Sequence, residues 1–106
     1  MTAVDGEAEA MSETDVVDNA DRRRFEARRD GELVGWIDYT TAGERLVLTH
    51  AETVHAHRGQ GVGGATTRAV LDLLRAREET PQVLPACGFV AHWIHEHPEY
   101  QDLLAR

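Results

Sequence analysis

The sequence predicts one α+β domain in which helices cover a mixed sheet. Between residues 22 and 54, three segments alternate apolar with polar residues and are separated by short turns, which is typical of an antiparallel meander. After the stretch RGQGVGG at 58–64 the apolar residues change to helical spacing, and a short apolar segment, QVLPA, follows that helix. A crossover helix can bring the strands that it joins into parallel pairing, so the third and fourth strands can be parallel.

The first hairpin is predicted by the turn sequence RDGE at 29–32, because Asp-Gly readily adopts the two positive φ values of a tight turn. The turn joins a strand over 22–29 to a second strand. One face of that strand carries Leu33, Gly35 and Ile37, and the other carries Val34, Trp36 and Asp38.

The third strand lies in RLVLTHAETV, where Leu46, Leu48 and His50 fall in one alternation. A helix over 63–78 follows, and then the strand QVLPA. A second helix in GFVAHWIHEH ends before Pro98, and PEYQDLLAR forms a last short helix.

Charge and composition restrict the partners. There are 19 acidic residues against 11 basic ones, all of them Arg, and the formal net charge is −8. We therefore expect no binding to nucleic acid and none to an anionic membrane. The sequence has no secretory signal at its N-terminus and no apolar run of membrane-spanning length, and its single cysteine, Cys87, excludes a disulfide within the chain. These features predict a cytoplasmic protein.

The N-terminal stretch predicts a tail. Residues 1–20 contain six carboxylates, no basic residue and no aromatic residue. Such a stretch buries too little apolar surface to offset the entropy lost on ordering. We expect a mobile acidic tail over 1–15 and a folded domain over 16–106, with Val16 and Val17 where docking begins.

The glycine stretch before the first helix has two readings. Its backbone N–H groups can converge on an oxyanion, because glycine has no Cβ and because the first N–H groups of a helix are unsatisfied. Arg58 adds a positive charge. A P-loop is excluded because the chain has no Lys, and a dinucleotide fingerprint is excluded by the glycine spacing and the preceding meander. A phosphate-binding loop and a plain helix-capping loop both remain.

A resemblance to a known family favours the first reading. RGQGVG, after a strand and before a helix, resembles the acetyl-CoA motif of the GNAT superfamily of N-acyltransferases. The segments RRFEARRDGELVGWIDY, LTHAE and VLPACGFVAHWIHEHPEYQDLL resemble a small single-domain subfamily, and together with the motif they cover residues 16–104. The resemblance implies a GNAT-like mixed sheet, minimal in lacking the N-terminal helices that form an acceptor site in larger members. It also implies an acetyl-CoA-dependent N-acetyltransferase.

The resemblance further implies roles for individual residues. His50 and Cys87 match the residues that the subfamily is proposed to use in catalysis. Thr53 and Val54 lie on the strand that pairs with the pantetheine arm of CoA, although the sequence departs from the subfamily pattern after Glu52. The residues that match the CoA pyrophosphate loop are Arg58, Gly59, Gln60, Gly61, Val62, Gly63 and Gly64. The acceptor is implied to be an amine, on a small molecule or a protein.

Each catalytic candidate also has a structural interpretation. Cys87 precedes a helix start, which favours a thiolate nucleophile, yet cysteine is often a small buried apolar residue. His50 can act as a general base near pH 7, or be a hydrogen-bonded strand histidine. Glu52 can orient a cationic acceptor, or simply be solvated. Beside an enzyme, the alternatives are a non-catalytic CoA-binding regulatory module and a protein-interaction domain without a cofactor.

The remaining polar and aromatic clusters favour structure over function. His55 and His57 alternate on one face, and three more histidines lie at 92, 95 and 97, but a zinc site needs convergent ligands and usually a supporting carboxylate or thiolate. We therefore expect no metal site. Trp93 and Tyr100 are expected in the core, and the arginine run 22–24 on a solvated strand edge.

Overall fold

The computed structural model describes residues 14–105, which form one five-stranded sheet and several helices. Across the sheet the strands are β1 (Asp15–Asn19), β2 (Arg24–Arg29), β3 (Glu32–Ala42), β4 (Arg45–Thr53) and β5 (Gln82–Pro85). Neighbours from β1 to β4 pair antiparallel, whereas β4 and β5 pair in parallel, as the crossover predicts. The predicted α+β fold class is confirmed.

The helices lie where the helical spacing predicts them. They are α1 (Val62–Arg75), α2 (Gly88–His95) and two 3₁₀ helices, His55–His57 and Pro98–Leu103. The third strand was predicted over 45–54, and β4 ends at Thr53, one residue earlier; the chain then turns through His55–His57 before the glycine stretch. Within residues 14–105, neither α-helix has the length and apolar character that crossing a bilayer requires.

An edge strand, β1, precedes the strands that the sequence predicts. It pairs with β2 from Asp15 opposite Arg28 to Asn19 opposite Arg24. The hydroxyl of Tyr39 donates a hydrogen bond of 2.6 Å to the carboxylate of Asp18. The prediction that the first strand begins at residue 22 therefore missed β1, which is ordered by its partners rather than by its own apolar content. The predicted mobile tail over 1–15 stays a prediction, because residues 1–13 lie outside the described part.

The β2–β3 hairpin has the predicted turn. Asp30 and Gly31 both have positive φ values, of 52° and 80°. Phe25 and Ile37 lie opposite each other across the two strands and are almost fully buried, so the face of β3 that carries Ile37 packs towards the core.

Val34 departs from the predicted alternation. It was expected on the face of its strand opposite Ile37, together with Trp36, but it is fully buried in a small cluster with Ala27 and Val62. A register shift between Ala27 and Arg28 interrupts the regular pairing at this end of the hairpin. Such a bulge increases the local twist, and regular alternation along β3 then no longer predicts the environment of Val34.

A second bulge, in β4, reverses the direction of the candidate catalytic histidine. Tyr39 pairs with Leu48 while Asp38 pairs with His50, so Thr49 is an extra residue without a partner on β3. Leu48 is buried and His50 is exposed. The prediction that His50 shares a face with the two leucines of β4 is therefore wrong, because the extra residue shifts the period of two by one position.

The core lies between one face of the sheet and the helices. α1, α2 and the 3₁₀ helix Pro98–Leu103 all contribute to one buried cluster with β2 to β5; its members are Phe25, Ile37, Leu46, Leu48, Val70, Leu71, Leu74, Val83, Val90, Ile94, Tyr100 and Leu103. The opposite face of the sheet, called the open face below, carries Trp36, Asp38, His50 and Glu52. Among residues 14–105, no helix contributes buried residues to the open face.

Candidate active site

The glycine loop, residues 58–64, presents unpaired backbone N–H groups at the start of α1. Gly59 and Gly61 have φ values of 82° and 75°, which side chains rarely permit. Gly61 is the N-cap of α1, and no side chain caps the helix. Its first backbone hydrogen bond joins the N–H of Ala65 to the carbonyl of Gly61 at 3.1 Å, so the N–H groups of residues 62–64 have no partner within the helix.

The glycines of the loop are needed for two different reasons. A Cβ on Gly59 or Gly61 would meet nothing within 4 Å, so positive φ is what these two positions require. A Cβ on Gly63 would stand 2.8 Å from the ring of Phe89. Packing against α2 thus explains Gly63, whereas Gly59 and Gly61 shape the backbone.

His57 ties the glycine loop to the β2–β3 hairpin. Its Nε2 lies 3.1 Å from the Glu32 carboxylate and its Nδ1 lies 3.2 Å from the amide oxygen of Gln60. These two acceptors, Glu32 first, raise the pKa of His57 above its ordinary value. A protonated His57 donates to both groups, and so restrains the start of the loop.

Beyond Leu48, β4 has no paired strand on its β5 side within the described residues. Leu48 is the last residue of β4 to pair with β5, opposite Pro85, and one more hydrogen bond joins the N–H of Ala86 to the carbonyl of Leu48 at 2.9 Å. β4 then continues to Thr53 while β5 turns into α2. A wedge-shaped gap therefore opens between β4 and the start of α2.

The backbone groups of Thr53 and Val54 point to different sides of the chain, and only those of Thr53 point towards this gap. The N–H of Val54 donates to the carbonyl of Val34 at 2.8 Å, and its carbonyl accepts from the N–H of His57 at 2.8 Å. In an antiparallel strand successive residues direct their backbone groups to opposite sides. Because Val54 bonds to β3, the backbone groups of Thr53 and Ala51 point towards the gap.

A cavity of about 150 Å³ fills the gap. Its lining includes side chains from both faces of the sheet and from both α-helices: Trp36, Ile37, Ala51, Glu52, Thr53, Gly63, Thr66 and Phe89. Trp36, Thr66 and Phe89 were not among the predicted site residues. No spacing in the sequence distinguishes them, because they meet only when β3, α1 and α2 are assembled.

His50 belongs to a chain of charged contacts on the open face. Its Nε2 lies 2.9 Å from the Glu52 carboxylate, whose other oxygen accepts a hydrogen bond of 3.3 Å from Arg58. His50, first, and then Arg58 lower the pKa of Glu52. The side chain of His50 is 58% exposed. Three residues singled out from the sequence, including one of the glycine loop, are therefore brought together on the open face.

Cys87 lies on the other side of the gap. It is the N-cap of α2, with extended backbone, and its carbonyl accepts from the N–H of Ala91 at 2.9 Å. Its side chain is half-buried and packs against the core cluster. His50 and Cys87 make no hydrogen bond to each other within the described residues, because one faces the open face and the other the core.

The open face also contains a carboxylate without a protein partner. Asp38 pairs in register with Arg24 on one side and His50 on the other. Arg24 instead donates to Glu26 at 2.8 Å and stacks 4.5 Å over the ring of Trp36. Arg24 is thus not the solvated edge residue that was predicted, and Asp38 makes no hydrogen bond or ion pair within residues 14–105.

The remaining histidines do not form a second centre. In the part of the chain that the structure describes, no three His, Cys, Asp or Glu side chains are arranged to hold a metal ion. His92 and His95 are exposed on α2, and the ring of His97 stacks on Trp93 with centroids 3.7 Å apart. Tyr100 is buried, as predicted.

Comparison with known proteins places these features in context. No protein of curated function matches the sequence. The chain is similar in structure to a ribosomal-protein-alanine N-acetyltransferase from Brucella melitensis biovar Abortus 2308, at 21% identity and a TM-score of 0.46, over 78% of this chain and 62% of that one. It is also similar to a nourseothricin acetyltransferase, at 23% identity and a TM-score of 0.45, over 94% and 79% of the two chains. The chain thus spans less than two thirds of the first of these structures.

The family is shown by a sequence-family model described as GCN5-related N-acetyl-transferase, which matches residues 24–103. That range runs from the start of β2 to the end of the last 3₁₀ helix, and it includes the glycine loop, the free edge of β4 and the cavity between them. Because the match covers most of the chain, the protein belongs to the GCN5-related N-acetyltransferase family.

Proposed function

We propose that the protein is an acetyl-CoA-dependent N-acetyltransferase that acts on an amine. One observation carries the proposal: the glycine loop, the free edge of β4 and the cavity adjoin, and the cavity is lined from both faces of the sheet. A ligand anchored at the loop can therefore reach the open face, where His50 lies.

The residues at the loop and along β4 fit CoA. The N–H groups at the start of α1 suit the pyrophosphate, because they are unpaired and lie at the positive end of the helix dipole. Arg58 can exchange its exposed contact with Glu52 for a phosphate. Along β4, Thr53 and Ala51 suit the pantetheine arm better than Val54, whose backbone groups are both bonded within the protein. When bound, acetyl-CoA supplies an acyl group activated as a thioester.

His50 is the candidate general base. The amine nitrogen must lose a proton before or as it attacks the carbonyl carbon, where a C–N bond forms as the C–S bond breaks. The carboxylate of Glu52 orients the His50 ring through Nε2 and stabilises the imidazolium that results. Nδ1 of the exposed ring then faces solvent or acceptor on the open face.

Cys87 is a candidate for a different step. It is the N-cap of α2 and follows the end of β5. A transient thioester on Cys87 would require its half-buried side chain to meet the acyl group from the core side of the gap. Direct transfer to the amine needs no such intermediate.

A cationic acceptor suits the open face. The chain has a formal net charge of −8, and Asp38, which makes no hydrogen bond or ion pair within residues 14–105, lies beside His50. A polyamine or a Lys-bearing protein would place its ammonium groups there with favourable electrostatics.

Calorimetry with acetyl-CoA tests the proposal first. We expect saturable binding and a rise in melting temperature with ligand concentration. If the wild-type protein shows neither saturable binding nor a rise in melting temperature, the proposed function is excluded. A screen of amines, read as release of free CoA, then identifies the acceptor.

Two substitutions separate the chemical roles. His50→Gln keeps a polar side chain but cannot take the proton, so we expect kcat to fall by roughly 10²- to 10⁴-fold with unchanged CoA affinity. Cys87→Ala distinguishes the two routes: turnover at the wild-type rate, with no acetyl adduct on the intact wild-type protein by mass spectrometry, would remove the nucleophile hypothesis.

A non-catalytic CoA-binding module is the second candidate. It is favoured by the absence, within residues 14–105, of helices over the open face, and by the separation of His50 from Cys87. Tight acetyl-CoA binding without acetyl transfer to any amine of the screen would support this candidate over the enzyme.

A further inference from the structure

Thr66 contains a buried hydroxyl that no group within residues 14–105 satisfies. It lies on the first turns of α1, is only 3% exposed and lines the cavity beside β4. In that part of the chain its Oγ1 has no hydrogen-bond partner. A threonine within a helix usually donates to the carbonyl four residues earlier, as the neighbouring Thr67 does to Gly63 at 2.8 Å.

An unsatisfied hydroxyl destabilises the free protein, because it has lost its water without gaining a partner. An apolar side chain of the same shape, valine, would avoid that loss. The cavity is otherwise lined mainly by apolar and backbone groups, so Thr66 is a polar group inside an apolar slot. Ligand sites commonly contain a few such groups, which orient the ligand.

We propose that Thr66 is a positioning residue for the acyl donor: its hydroxyl donates a hydrogen bond to an amide carbonyl of the arm that carries the thioester. The inference rests on the proposed function. It assigns to this chain a specific polar contact within the cavity. The contact fixes how far the arm enters from the glycine loop, and therefore where the thioester stops relative to His50.

Phe89 lines the same cavity as this hydroxyl. Its ring packs on Gly63, one helical turn before Thr66. The ring is nevertheless 49% exposed, so it can swing outward without leaving the core incomplete. An entering arm can displace the ring, enter the cavity and accept the hydrogen bond of the Thr66 hydroxyl.

The test compares Thr66→Val with Thr67→Val in the full-length protein. Calorimetry measures the affinity of each for two probes: acetyl-CoA, and the phosphorylated ADP head of CoA, which keeps the pyrophosphate and lacks the arm. We expect Thr66→Val to weaken acetyl-CoA binding roughly three- to tenfold and to leave the affinity for the head group unchanged. Thr67→Val should change neither affinity, because its hydroxyl is already bonded within α1.

Melting temperatures give a readout that is independent of binding. Without ligand, Thr66→Val should melt at a higher temperature than the wild-type protein, and Thr67→Val at a lower one. Equal acetyl-CoA affinity of Thr66→Val and wild type would overturn the inference while leaving the proposed function intact. Equal weakening for both probes would also overturn it, since the effect would then act through the loop. A wild-type protein that binds neither probe would overturn the inference together with the proposed function.

Discussion

At the scale of single residues, His57 makes the folded protein sensitive to pH near neutrality. Glu32 and Gln60 raise the pKa of His57 in the folded state above the ordinary value of 6.5. The protonated form is favoured by folding, so its stabilisation is complete below the ordinary value and is lost as the pH rises through the raised one.

We therefore expect the melting temperature of the wild-type protein to fall between about pH 6 and pH 8.5 by more than that of His57→Gln, which lacks the titrating ring. Thermal unfolding followed by circular dichroism at the two pH values measures the difference. The other histidines are common to both proteins and cancel in the comparison. If the melting temperatures of the two proteins fell by the same amount between these pH values, the contact with Glu32 would not depend on the charge of His57.

Some contacts of single residues cannot be predicted from the sequence. The hydrogen bond of Glu52 with His50 is the exception: the two residues are two positions apart beyond the bulge, so the period of a strand puts them on one face. The contact of Arg58 with Glu52 requires the loop to fold back beside β4. The cavity that contains the unsatisfied hydroxyl of Thr66 is lined in part by Phe89, which lies 23 positions later.

At the scale of elements, the glycine loop gives the sharpest prediction about the ligand. Gly61→Glu places a carboxylate where the pyrophosphate is proposed to lie, and should abolish acetyl-CoA binding. It also forces a side chain into positive φ, which costs about 1–3 kcal/mol. The matched control is Gly43→Glu in the β3–β4 turn, where φ is 63° and a Cβ meets nothing within 4 Å.

Both variants should therefore lose a similar amount of stability, and only Gly61→Glu should lose the ligand. Circular dichroism melts and calorimetry measure the two properties separately. If Gly61→Glu keeps the affinity of the wild type, the glycine loop does not hold the phosphates, and its glycines serve only the turn into α1.

The close approach of β3, β4 and α1 at Gly35 gives a second prediction for the elements. A Cβ at this position would stand 2.7 Å from the carbonyl oxygen of Glu52 and 3.1 Å from a methyl group of Val62. Gly35→Ala should destabilise the protein by about 1–3 kcal/mol, because a backbone atom cannot easily move aside. Gly88→Ala, where a Cβ meets nothing, should stay within about 0.5 kcal/mol of the wild type. Denaturant unfolding of the pair measures the difference, and equal stabilities would show that β4 moves aside at no cost.

Elements with a strong local signal could be predicted, and irregular ones could not. The Asp-Gly turn, the helical period after the glycine loop and the short strand before Cys87 each depend on neighbouring residues, and each is present in the structure. The bulge at Thr49 has no such signal, because TH in the middle of a strand is compatible with regular pairing. One extra residue was enough to turn His50 away from the face of Leu46 and Leu48, where the alternation predicted it, to the open face.

At the scale of the whole molecule, the order of the elements and the one parallel pair follow from the sequence, whereas the edge strand does not. β1 has few apolar residues and is held by what surrounds it. Its backbone pairs with β2, Val16 packs against the core, and Asp18 accepts hydrogen bonds from Tyr39 and from Arg77 at the end of α1. β1 is held in place by residues that are distant in the chain. The composition of residues 15–19 alone therefore does not predict that they form a strand.

Two N-terminal truncations test where the folded domain begins. Removal of residues 1–12 should leave the unfolding free energy within about 0.5 kcal/mol of that of the full chain, if this segment is the tail that its composition predicts. Removal of residues 1–20 deletes β1, leaves the edge of β2 unpaired and frees the hydroxyl of Tyr39 from Asp18. We expect a loss of about 2 kcal/mol or more, which for a domain of this size is roughly 8–16 °C in melting temperature, together with a tendency to associate through the exposed edge.

Melting curves and size-exclusion chromatography of the two truncated proteins measure these effects. Equal destabilisation by both truncations would place the boundary of the domain within residues 1–12, and no destabilisation by either would mean that β1 contributes little to the fold.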